Sequence, residues 1–210
     1  MLRLTGGQFG GRKIHSPTDS GPHAGKTRPT QAKLRQALFN TLQFELQGAR
    51  VLDLFAGAGT LGFEALSRGA VSVLFVEAAK PVGKLIERNA AELGVTDCVE
   101  VLIEKVERAG PVIEAGGPFD LVLADPPYLM GVEIDLLTGK WFDWGRVLAP
   151  QGKLYLEWGR TKSQFTELPE TVELREKGSV LVKIREKNYG DSILTTYQRS
   201  GPNEDIKHDS

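Results

Sequence analysis

The stretch "RVLDLFAGAGTLGFEALSRG", Arg50–Gly69, decides the fold. It opens with the apolar run Val51, Leu52, Leu54, which reads as a buried strand, and passes through glycines at 57, 59 and 62. It then sets Leu61, Ala65 and Leu66 on one helical face, with Gly69 as the stop. The same alternation continues outward. "VSVLFVE" predicts a second strand, residues 81–93 a helix ended by Gly94, and "CVEVLI" and "FDLVLA" further strands. "DPPY" follows the last of these, then a weaker helical pattern in "EIDLLTG" and a strand in "GKLYLEW". "SVLVKIREK" and "SILTTYQR" close the chain as two strands joined by "NYGD". Alternating strands and helices followed by a terminal strand pair predict a doubly wound α/β sheet. Ligands of such sheets sit beyond the carboxyl ends of the strands, here just after Phe55, Glu77, Ile103 and Ala124.

Before this core, "LRLTGGQFGGRKI" predicts two short strands around a glycine-rich turn, and residues 16–29 a loop. Thr30 is expected to cap a helix running to about Leu46. The expected organisation is an N-terminal extension over 1–46, a catalytic domain over 47–200 and a disordered tail over 201–210. Residues 1–40 carry seven basic side chains against Asp19 alone, net +6, and the other 170 residues carry 19 basic and 26 acidic ones, net −7. A basic arm on a mildly acidic body predicts a polyanionic partner, or else a solvated basic segment. The single cysteine, Cys98, excludes an internal disulfide. With no apolar membrane-length run and no secretion signal, a cytoplasmic setting is expected. His15, His23 and His208 have no ligand-spaced companions, and no metal site is expected.

Three glycines at this spacing fit a dinucleotide site, and an NAD-dependent oxidoreductase is one reading. Asp53 argues against it, because a carboxylate four residues before Gly57 repels a pyrophosphate and suits a cation. S-adenosylmethionine carries an ammonium and a sulfonium and no phosphate. The plainer reading of Asp53 is a turn- or helix-capping carboxylate. Glu77, at the second strand end, is placed to accept two ribose hydroxyls. Glu104, after the third strand, is placed near an adenine amine or in solvent.

"ADPPY", Ala124–Tyr128, is the stretch with the sharpest chemistry. Two prolines remove two backbone donors and stiffen the turn, leaving carbonyl acceptors. With the Asp125 carboxylate added, the site is rich in acceptors and suits an –NH₂ group. Tyr128 offers a flat face for a base.

These pieces resemble the Rossmann-like S-adenosylmethionine-dependent methyltransferases that modify exocyclic amines. "LRLTGGQFGGRKI", "TRPTQAKLRQALFN", "VLDLFAGAGTLGFEALSRGA", "DPPY" and "YGDSILTTYQR" together resemble the bacterial 16S ribosomal RNA (guanine-N2)-methyltransferase family, from Leu2 to about Arg199. One departure is "KLRQ" at Lys33–Gln36, where members often read "RVRE". The resemblance implies a mostly parallel seven-stranded sheet with an antiparallel C-terminal strand. It implies a donor site at Asp53, Phe55, Ala56, Gly57, Gly59, Thr60, Glu77 and Glu104, and catalysis by Asp125, Pro126, Pro127 and Tyr128. Contacts to 16S ribosomal RNA, free or in the small subunit, would come from Arg12, Lys13, Arg28, Lys33 and Arg35, on a monomeric protein. For Arg28 and Arg35 an intramolecular ion pair is the competing expectation. Methylation of DNA adenine N6, methylation of a protein glutamine, and a binding module without catalysis are the other readings.

Overall fold

The computed structural model describes residues 1–17, 29–127, 131–159 and 167–201, with 29–33 described by their backbone. Two compact units divide the chain, Met1–Lys105 and Val106–Ser210.

The first unit begins with β1 (Leu2–Arg3) and β2 (Lys13–Ile14), an antiparallel pair in which Leu2 faces Ile14. Helix α1 spans Pro29–Leu42. Thr30 therefore lies inside the helix and not at its cap; Pro29, whose missing N–H costs nothing in the first turn, starts it. Then follow β3 (Arg50–Leu54), α2 (Thr60–Ser67), β4 (Ser72–Val76), α3 (Lys80–Leu93), a 3-10 turn (Thr96–Cys98) and β5 (Val99–Leu102). The three strands lie in the order β5-β4-β3, parallel, with Asp53 opposite Phe75. Val51, Leu52, Leu54 and Phe75 are buried in the strands, and Phe63, Ala65, Leu66 and Ile86 in the helices, while Leu61 of the expected helical face is half-buried. The Phe63 and Phe75 rings sit 5.0 Å apart. Gly62 lets α2 lie against β4: a Cβ there would stand 2.2 Å from the Phe75 ring.

The N-terminal segment is part of this unit, stitched to it by side chains that face inward from α2 and α3. Glu64, fully buried, accepts the Thr5 N–H (2.8 Å) and hydroxyl (2.5 Å) and bonds the Arg68 guanidinium (2.8 Å). Ser67 accepts the Phe9 N–H through its Oγ (2.8 Å) and the Gln8 N–H through its carbonyl (2.6 Å). Asn89 closes a two-bond clasp on the His15 backbone (2.8 and 3.0 Å). The boundary expected at residue 46 thus falls within one compact unit.

The second unit holds α4 (Val106–Gly116), β6 (Phe119–Ala124), α5 (Val132–Leu137), α6 (Trp144–Val147), β7 (Leu148–Trp158), β8 (Thr171–Glu173), β9 (Val180–Tyr189) and β10 (Ser192–Ser200). Its strands follow the order β6-β7-β10-β9-β8. β6 and β7 are parallel, Ala124 beside Leu156; β10 is antiparallel to both its neighbours, with Leu194 opposite Glu157. The closing hairpin forms as expected, with Gly190 and Asp191 as its two-residue turn. Among the described residues eight strands run from β3 to β10, one more than expected; the three-residue β8 is the addition. Among the described residues no helix is long and apolar enough to cross a membrane. None of the described His, Cys, Asp or Glu residues group in threes to hold a metal.

Candidate active site

In the first unit the glycine loop turns out of β3 through left-handed backbone at Phe55 (φ 58°), Gly57 (φ 55°) and Gly59 (φ 76°). Phe55 is not a glycine, and an L side chain held in that region is strained, as residues around ligand sites often are. A Cβ at Gly57 would meet nothing within 4 Å, so the backbone there is open to a close ligand. Gly59 is closed on its other side: a Cβ there would stand 2.8 Å from the Phe63 ring and 3.1 Å from the Phe75 ring. Ala56 and Thr60 are half-buried at the rim.

The loop's amides are already committed. Glu77 Oε2 accepts the Gly57 N–H (2.8 Å), and its Oε1 accepts the Ala79 N–H (2.7 Å). Asp53 Oδ2 accepts the Gly62 N–H (2.8 Å), in the first turn of α2, and the Gly59 N–H goes to the Ala56 carbonyl (2.8 Å). A diphosphate binds such a loop through these same N–H groups. Here carboxylates hold two of them, Glu77 at the loop and Asp53 from beneath α2, which leaves fewer free N–H groups for a diphosphate. Asp53 is 1% exposed. Its carboxylate anchors α2 to β3, so the helix-capping reading describes its geometry, and it shapes the loop from beneath. Each Glu77 oxygen keeps a second lone pair, so the carboxylate still has capacity for two hydroxyls. Glu104, half-buried, accepts the Lys105 N–H (2.8 Å) at the end of β5.

In the second unit, β6 ends at Ala124 and Asp125 follows, half-buried, with Pro126 buried and Pro127 exposed. Burial, with the charge of Glu157 beside it, pushes the Asp125 carboxyl up to about 7. Glu157 is 8% exposed and is itself pushed up by burial, against a lowering hydrogen bond from Ser192. Glu157 is not among the residues that the sequence motifs single out. A signal for it is present all the same: "LYLEW" puts an acid at the carboxyl end of the strand beside β6, where ligands of α/β sheets gather. Tyr128 lies outside the described residues. A separate concavity of this unit, lined by Pro111, Glu114, Pro118, Arg146 and Arg199, opens at the other ends of β6 and β7. Its two arginines are bonded to Glu114 (3.1 Å) and Glu176 (2.6 Å).

The basic residues divide. Arg12 is exposed, and its guanidinium donates to the Glu92 and Leu93 carbonyls (2.5 and 3.5 Å) at the C-terminus of α3. Arg35 is turned inward: it donates to the Arg3 carbonyl (3.3 Å), and burial lowers its pKa against the raising charge of Glu64. Arg35 is half-buried, and this intramolecular bond takes up part of its guanidinium. Lys13 is exposed. Arg28 and the Lys33 side chain lie outside the described residues.

Residues 2–198 match the family described as "Conserved hypothetical protein 95". The chain is 31% identical over 207 residues to the ribosomal RNA small subunit methyltransferase D of Escherichia coli K12, spanning 97% of this chain and 93% of that one. It is 32% identical over 188 residues to the protein of the same name from Haemophilus influenzae, spanning 88% and 92%. Among solved structures, yhhF of Escherichia coli superposes with a TM-score of 0.71 at 28% identity, covering 95% of this chain and 98% of the other. A conserved hypothetical protein of Streptococcus pyogenes superposes at 0.62 with 32% identity, covering 83% and 99%.

Proposed function

The chain belongs to the family described as Conserved hypothetical protein 95, and from that membership we propose that it methylates the exocyclic N2 amine of a guanine in 16S ribosomal RNA, with S-adenosylmethionine as donor. It is a ribosomal RNA methyltransferase with a Rossmann-like fold. The observation that carries the donor half is the commitment of the Gly57 and Gly62 amides to Glu77 and Asp53, which suits a cationic nucleoside and not a diphosphate.

When bound, the donor supplies an electrophilic methyl group on a sulfonium. Glu77 would hold its ribose, the Phe55–Thr60 loop its amino-acid end, and Glu104 the neighbourhood of its adenine. The acceptor chemistry falls to the Asp125–Tyr128 turn. A guanine amine is a weak nucleophile because its lone pair is delocalised into the ring. Asp125 and a carbonyl of Pro126 or Pro127 accept its two hydrogens and let the nitrogen rehybridise. Asp125 also receives the proton that the methylated nitrogen sheds, as a general base whose pKa lies close to the working pH. Tyr128 stacks the base, which is reached most cheaply in an unpaired loop. The prolines keep the acceptors fixed, and alignment of this kind supplies up to about 7–11 kcal/mol of barrier reduction. Lys13, and Arg12 with the N–H groups it has left, meet phosphates.

The test is transfer of labelled methyl from S-adenosylmethionine to unmodified small ribosomal subunits and to deproteinised 16S ribosomal RNA, followed by nucleoside analysis. N2-methylguanosine at one position is expected. Label on adenine N6, or on protein, overturns the assignment.

A further inference from the structure

Glu157 lies outside both the donor loop and the Asp-Pro-Pro turn, and its surroundings are unusual. It stands in β7, whose register with β6 sets Leu156 beside Ala124; Glu157 and Asp125 are the next residues along, and the Glu157 charge acts on Asp125. Across β7 its partner is Leu194 of β10, and Leu194 in turn faces Lys187 of β9. Ser192, two residues from Leu194 on the same face, bonds the Glu157 carboxylate. The other Glu157 oxygen, Oε1, is buried and has no hydrogen-bond partner among the described residues. A buried acceptor left without a donor is costly, and native structures rarely keep one.

The neighbour supplies the missing donor if one of the two carboxyls carries a proton. Two carboxylates forced side by side out of water cannot both ionise cheaply, and a shared proton satisfies the orphan oxygen and removes one charge. We propose that Asp125 and Glu157 form a hydrogen-bonded carboxyl–carboxylate pair holding one proton, in which Glu157 is a positioning residue that fixes the Asp125 carboxyl and sets the pH at which it works. The proposal rests on the reading of Asp125 as the acceptor-site group. In the cycle, the pair enters with one proton and net charge −1. It takes up the proton lost from the methylated nitrogen, whose N–H electron pair stays on nitrogen, and the second proton then leaves to water. Among the described residues, Lys187 faces Leu194 from β9, and Asp191 stands in the exposed hairpin turn.

The test combines carboxyl NMR of protein labelled at Asp and Glu side chains with the pH dependence of single-turnover methyl transfer. In the wild type a carboxyl titrates near neutral pH, and kcat follows the same step. Glu157→Gln replaces the acid by an uncharged amide donor. That step then disappears from both readouts, and the rising limb of the rate moves at least one pH unit lower. Ser192→Ala, which removes only the hydroxyl bond, moves the step upward. A purely structural Glu157 would lower the rate at every pH without moving the limb. A neutral titration that persists unchanged in both variants overturns the proposal; if Glu157→Gln does not fold, the direction of the Ser192→Ala shift decides it alone. Asp125→Ala separates the two failures. An active Asp125→Ala removes the acceptor-site reading whatever the NMR shows. An inactive one, together with an unmoved limb in Glu157→Gln, removes the pair alone.

Discussion

Carboxylates stand at strand ends in both units, yet the two sets live in opposite conditions. In the glycine loop, Asp53 and Glu77 each accept backbone N–H bonds, at 2.8 Å to Gly62 and 2.8 Å to Gly57, so their charge is balanced by the peptide dipoles they organise. At the Asp-Pro-Pro turn, prolines have removed the neighbouring amides, and Asp125 faces burial and a second acid with its carboxyl pushed up to about 7. The first set is satisfied and holds a shape. The second is under electrostatic load, and load of that kind is what acid–base chemistry at neutral pH requires. One kind of side chain is thus satisfied in one place and loaded in another, according to the donors that the backbone offers.

Breaking the loaded site has the largest effect. Asp125→Ala lowers the single-turnover rate of methyl transfer by about 10²–10⁴-fold, the range of a lost general base. A fall under threefold breaks the contrast between the two sites. The load also has a stability signature. The folded-state pKa of Asp125 is raised, so its contribution to stability is fully present below about pH 4 and is lost as pH rises through about 7. Asp125→Asn never ionises and escapes that loss. Above pH 7 it is more stable than the wild type by on the order of 1–3 kcal/mol and unfolds at a higher temperature, and the gap closes toward pH 4. Thermal melts across that range give the sign.

The satisfied site responds in the opposite sense. Asp53→Ala strands the Gly62 N–H in the interior and costs about 1–3 kcal/mol, a fall of roughly 2–4 °C in Tm per kcal/mol for a domain of this size. A variant as stable as the wild type would show that Asp53 does not anchor α2. The smallest effect belongs to the basic arm. Lys13→Ala lowers the salt slope of RNA binding by about one, with melting temperature unchanged. Arg12→Ala lowers both, because Arg12 also bonds the last carbonyls of α3.

Strand and helix order was legible because each apolar run is bounded by glycine or acid, as at Gly69 and Gly94. Helix α4 was not, because Gly110 and Pro111 interrupt it. Its buried face, Val106, Ala109 and Ile113, keeps helical spacing all the same. Gly110 is there for contact: a Cβ would stand 2.2 Å from the Trp141 carbonyl. The residues proposed for the donor site were singled out by their position around the ends of β3 and β4, but that position does not say whether they face ligand or backbone. Asp53 is hidden under α2, a choice made by nine residues of loop closure that no spacing rule reports. The basic arm was legible only as charge. Local charge does not say where an arginine points: Arg35 is half-buried and donates to the Arg3 carbonyl.

The division of labour between the two sites is tested most directly by calorimetric titration of S-adenosylmethionine into the wild type, Glu77→Gln and Asp125→Ala. Glu77→Gln should raise Kd by about tenfold, the loss of roughly one charge-assisted hydrogen bond, while Asp125→Ala binds the donor within about twofold of the wild type and transfers almost no methyl. Undiminished affinity in Glu77→Gln, or a donor affinity that collapses in Asp125→Ala, would contradict that division.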